Sequence, residues 1–77
     1  MNYEEAKVKA KEKRFGETAI NILRAMSFGP VNPYRYFGTS LRRNYSYAYF
    51  TRLEKAGLIK RTTPPKGSRG YLYYTLA

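Results

Sequence analysis

The chain contains no cysteine, no histidine, no aspartate and no tryptophan. Without cysteine there is neither a disulfide nor a thiolate metal site. Without histidine, most zinc sites, the Ser-His and Cys-His nucleophilic pairs and the usual proton shuttle at neutral pH are also lost. Glu4, Glu5, Glu12, Glu17 and Glu54 are then the only side-chain carboxylates, and the first four fall at helical spacings that suit a solvated face. These absences argue against an enzyme and imply neither cofactor nor metal. No apolar run approaches the about 20 residues needed to cross a bilayer. The first residues also lack the apolar core and cleavage site of a secretory signal. The expectation is a cytosolic protein with no membrane partner.

What the chain has in excess is positive charge on a small frame. Its 77 residues suit one domain, near the size at which a single core only just suffices. Fifteen Lys and Arg stand against five Glu, for a formal charge of +10. The excess is uneven: residues 1–17 hold five basic and four acidic groups, whereas residues 18–77 hold ten basic groups and only Glu54. So lopsided a charge predicts a strong positive field and a polyanionic partner. The competing reading is a basic protein whose charge serves solubility alone.

Periodicity supplies the elements. Residues 3–14 read as a charged helix, with Tyr3, Ala6, Val8 and Ala10 scattered among Glu and Lys. Its stripe of Tyr3, Ala6 and Ala10 could pair with a second copy, giving a homodimer, or with the domain's own surface. Gly16 either interrupts the helix or merely weakens it. Phe15, Ala19, Ile22, Leu23 and Met26, at i, i+4, i+7, i+8 and i+11, form a stripe that must be buried. Gly29 and Pro30 end that helix. Asn32 and Pro33 then cap and open a short helix over 33–37, closed by Gly38, with Phe37 and either Tyr34 or Tyr36 packing inward. Thr39, Ser40 and Leu41 form a turn, with Leu41 inward.

A long helix follows from Arg42 to Ala56, capped by Ser40 or Asn44. Its buried stripe runs through Ser46, Tyr49, Phe50 and Leu53, leaving Arg43, Asn44, Tyr47, Ala48, Thr51 and Lys55 on a face nearly free of acid. Gly57-Leu58-Ile59 stops it. Lys60 to Thr63 reads as a short strand, because Pro64 and Pro65 cannot donate to a ladder. Residues 64–70 form a basic loop, and Tyr71 to Leu76 return as a strand. Alternation puts Leu72, Tyr74 and Leu76 on the covered face and Tyr71, Tyr73 and Thr75 on the other.

The order of helix, short helix, turn, long helix and hairpin, with the segment from Phe50 to Arg61 and its Leu53-Glu54-Lys55-Ala56-Gly57-Leu58-Ile59 phrase, resembles the winged helix-turn-helix family of DNA-binding transcriptional regulators. The aromatic ending Tyr71-Leu72-Tyr73-Tyr74-Thr75-Leu76 is similar to that family's last strand. The likeness covers roughly residues 15–77, so that residues 1–14 form a charged helical extension. In its compactness the chain is similar to small winged-helix proteins encoded by archaeal viruses and plasmids, which would place it in a host cytoplasm. The resemblance implies an α+β fold of three helices followed by a two-stranded antiparallel wing. It also implies a recognition helix that begins near Arg42 and a wing tip from Lys66 to Arg69.

On this reading Arg42, Arg43, Asn44 and Tyr47 read bases in a major groove, since Arg can bridge guanine and Asn adenine. Thr51, Arg52, Lys66, Ser68 and Arg69 hold phosphates, with Arg35, Tyr45, Lys60 and Arg61 as additional contacts. Two cations at a helix start oppose the helix dipole unless an anion is nearby, which favours a role for Arg42 and Arg43 over a plain solvated end. Lys60 and Arg61 could instead guard a strand edge. The expected function is a sequence-specific regulator of double-stranded DNA, a repressor. The alternatives are a non-specific architectural or RNA-binding protein using tyrosines to stack on bases, and a winged helix serving as a protein-interaction module.

Overall fold

In a computed structural model of the chain, residues 1–33, 43–67 and 72–77 are described, the side chains of 43–47 excepted. The described elements are three helices, α1 (Tyr3–Glu12), α2 (Glu17–Met26) and α3 (Arg43–Lys55), then two strands, β1 (Ile59–Thr62) and β2 (Tyr73–Leu76). This is an α+β order, consistent with a helix-turn-helix domain and a hairpin wing. The expected short helix over 33–37 begins at Pro33, but the rest of it lies outside the described residues, as do Gly38 and the turn ending in Leu41.

The boundaries of α1, the start of α2 and the end of α3 have local causes. Asn2 adopts extended backbone before α1, and its Oδ1 accepts a hydrogen bond from the Glu5 backbone N–H at 2.9 Å. Glu4 and Glu5 in the first turn and Lys9 and Lys11 in the last match the helix dipole. At its end the Arg14 N–H donates to the Lys11 carbonyl at 3.0 Å and the Phe15 N–H to the Ala10 carbonyl at 2.9 Å. This pair of bonds is a Schellman cap, with Arg14 at the left-handed position, φ 63°. Gly16, whose two possible roles the pattern left open, separates two helices: it is the extended residue before α2. The same cap closes α3, where Gly57 at φ 79° donates to Glu54 at 3.0 Å and Leu58 donates to Leu53 at 3.1 Å.

The core joins all five elements. Ala19, Ile22, Leu23 and Met26 of α2 are buried as their spacing predicts, while Phe15, at the head of the stripe, is half-buried against them. Ala6 and Ala10 of α1 are fully buried in the same cluster. The segment expected as an extension therefore packs on α2, and the Ala6–Ala10 stripe is spent on the chain's own core rather than left for a second copy. Phe50 and Leu53 of α3 are fully buried, and Tyr49 is partly buried beside them. Ser46, the fourth residue of that stripe, is outside the described side chains.

The strands pair antiparallel with Ile59 opposite Leu76 and Thr62 opposite Tyr73. β1 starts and ends one residue earlier than the expected Lys60–Thr63, stopping at Thr62 short of the two prolines. On the other edge of β2, Tyr74 exchanges two backbone hydrogen bonds with Val31, both 2.9 Å. Both backbone groups of Tyr74 are thus directed away from β1, which makes Arg61–Tyr74 a non-hydrogen-bonded pair of the β1–β2 ladder. Leu72, Tyr74 and Leu76 pack on the core as the alternation predicts, and the Tyr74 ring lies 5.4 Å from that of Phe50. Tyr73, expected on the open face, is only 5% exposed. Adjacent residues buried on opposite faces mean that β2 is covered on both sides there, so the alternation loses its meaning. Tyr71 is outside the described residues.

Candidate nucleic-acid interface

α3 lies with Phe50 and Leu53 inward, so residues a half-turn away must face out. Ala48, Arg52 and Lys55, at i, i+4 and i+7, are all exposed and form a continuous ridge, with half-buried Thr51 alongside. The ridge has a neighbour on each flank. On one side the Arg52 guanidinium stands over the Phe15 ring, 5.4 Å from its centroid, tying α3 to the corner between α1 and α2. On the other side Arg61 of β1 approaches Glu54 of α3, Nε to Oε2 at 3.8 Å. The ridge is therefore bounded by the α1–α2 corner and by the hairpin.

β1 turns its two candidate cations to opposite faces. Arg61 faces Tyr74 across the ladder and shares the sheet face that meets α3, whereas Lys60 faces Thr75 on the opposite side. Lys66 is exposed in the turn after the prolines, beside Gly67 at φ 81°. Glu54, the one carboxylate in residues 18–77, is engaged by Arg61. Arg43, Asn44, Tyr45 and Tyr47 occupy the first turns of α3, with side chains outside the described set. Arg35, Arg42, Ser68 and Arg69 lie outside the described residues.

Of the sequence-derived candidates, the structure thus brings together Thr51, Arg52 and Arg61 on and beside one helix. Its contact between Arg52 and Phe15 was not legible beforehand, since the two are far apart in sequence and neither carries a recognisable motif. The cations next to Phe15, Lys13 and Arg14, are exposed and were likewise not singled out. A shallow depression elsewhere, lined by Glu4, Glu5, Val8, Lys9 and Glu12, lies along α1 alone and gathers no convergent chemistry. Among the described residues no helix is long and apolar enough to cross a membrane.

Comparison of the chain with protein-family models, with characterised proteins and with solved structures found no match.

Proposed function

We infer that the chain binds double-stranded DNA in a sequence-specific manner and represses transcription, in the way of the winged helix-turn-helix proteins it resembles. The observation that carries this reading is the exposed Ala48–Arg52–Lys55 ridge of α3, flanked on both sides by elements that carry exposed cations. An α-helix with its side chains is about 10–12 Å across, and the B-form major groove is about 12 Å wide. Seated there, the first turns of α3 would bring the base-reading candidates Arg43, Asn44 and Tyr47, with Arg42 just before them in the sequence, to base edges. Arg52 and Arg61 would meet phosphates on the two sides, and Lys66, Ser68 and Arg69 would follow the backbone or enter the adjacent minor groove. Repression would be steric: the bound domain covers promoter DNA and excludes the transcription machinery. No cofactor is required.

The single-strand alternative depends on tyrosines free to stack on bases. Tyr3, Tyr49, Tyr73 and Tyr74, the tyrosines whose burial is described, are each buried or half-buried, which favours the duplex reading. Selection of bound fragments from a random duplex library tests the proposal. Enrichment of a shared short sequence supports a specific regulator. Retention of all duplexes alike replaces it with an architectural protein, and tighter binding of single-stranded RNA removes both duplex readings. Absence of any nucleic-acid affinity at low salt leaves the protein-interaction module.

A further inference from the structure

The chain builds the same Schellman cap twice, with a different residue at its left-handed position each time. After α3 the position holds Gly57, φ 79°, the residue that tolerates this conformation. After α1 it holds Arg14, φ 63°, whose Cβ disfavours it. Arg14 is exposed, as is Lys13 before it, and Phe15 after it receives the guanidinium of Arg52 from the exposed ridge of α3. Among the described residues none of Lys13, Arg14 and Arg52 lies within ion-pairing distance of a carboxylate.

We propose that Lys13 and Arg14 are a second phosphate-binding point of the duplex interface. The α1–α2 corner would grip the DNA backbone on the flank of α3 opposite the hairpin. This rests on the duplex-binding reading above and extends it to a surface that reading does not include. The geometry is the reason for the assignment: the Arg52–Phe15 contact joins the ridge to the corner whose preceding residues are Lys13 and Arg14, so DNA seated on α3 would run past that corner. Clamping the backbone on both sides of a groove-bound helix fixes its register. A local conformational penalty retained at an exposed cation is consistent with selection for charge rather than for stability. Glu12 and Glu17 flank the corner and reduce its field, so the corner should hold one or two phosphates, a minor share of those the whole interface engages.

The test compares wild type with Arg14→Gly, Arg14→Lys and Lys13→Gln in duplex-binding titrations over a salt series, each variant also melted. Arg14→Gly places the residue of the α3 cap at the α1 cap, so its melting temperature should hold or rise. Its slope of log K against log salt should shrink by about 0.9, the value of one phosphate contact. That change alters the mutant-to-wild-type affinity ratio about threefold between about 50 and 200 mM salt. Lys13→Gln should show a similar loss, and Arg14→Lys should retain the wild-type slope. If wild type binds duplex and both Arg14→Gly and Lys13→Gln match its slope, the corner is not a contact, although the main interface stands. If wild type shows no salt-dependent duplex binding, the parent reading falls and this one with it.

Discussion

Gly57 and Asn2 show how much single residues decide at helix ends. A Cβ added at Gly57 would meet no atom within 4 Å, so substitution there acts through backbone conformation alone. At φ 79°, Gly57→Ala should lower stability by about 1 kcal/mol, read as a shift of the urea midpoint at constant slope. Asn2→Ala, which removes the bond to the Glu5 N–H, should cost about 1 kcal/mol as well. Glu54 is a different case. Its pair with Arg61 is exposed, the side chains 36% and 61% accessible, so Glu54→Gln should change stability by less than about 1 kcal/mol. The same substitution removes the carboxylate on the hairpin side of the proposed interface, and gel-shift titration should show tighter duplex binding. Base reading and phosphate holding separate at this scale too. Arg43→Ala should relax discrimination at one base position by about 1–3 kcal/mol, whereas Lys66→Ala should weaken all sequences alike. Binding to a panel of single-base operator variants distinguishes the two patterns.

At the scale of elements, α2 and α3 were legible because large apolar side chains mark them. Ile22, Leu23 and Met26 in one helix and Phe50 and Leu53 in the other repeat at helical spacing and bury as that spacing requires. α1 was legible as a helix, but its Tyr3, Ala6 and Ala10 stripe left open whether it meets the domain's own surface or a second copy. Its inward residues are Ala6 and Ala10, which carry too little apolar surface to stand out among the Glu and Lys around them. Their smallness is what lets α1 approach α2 closely. Ala10→Leu should therefore overpack that contact and cost about 1–3 kcal/mol. Val8→Ala, at a residue 55% exposed on the other side of α1, should be nearly neutral. Comparable effects of the two in chemical denaturation would mean that α1 is not seated on α2. The left-handed Arg14 had no signature at all, since a glycine is the usual mark of that cap and the nearest one, Gly16, does a different job. β2 misled in another way: Tyr73 and Tyr74 are both buried, so period-two alternation identified the face toward the helices but not the cover on the other side.

The whole molecule is a small apolar core in a strongly basic chain. Buried packing among α1, α2, α3 and the hairpin is supplied by apolar residues, with Asn32 the one polar residue buried among those described. Among the described side chains every Lys and Arg is exposed apart from half-buried Lys7, and a +10 chain creates self-repulsion and a long-range attraction for polyanions. That imbalance could be read directly from composition. The candidate interface could be read only in part: helical spacing put Ala48 and Lys55 on an outward face but left Arg52 off it, and the two flanks depend on which elements meet α3 in space. The Arg52–Phe15 and Arg61–Glu54 contacts supply that information.

The central claim is that cations of α3 and its flanking elements hold the phosphates of a duplex, and a titration of wild-type protein into labelled duplex DNA over a series of salt concentrations tests it most directly. The account predicts tight binding at low salt and a straight fall of log K against log salt, with a slope of about −0.9 for each phosphate held and several phosphates in all. Affinity that does not change with salt, or no binding to duplex at the lowest salt, would contradict it.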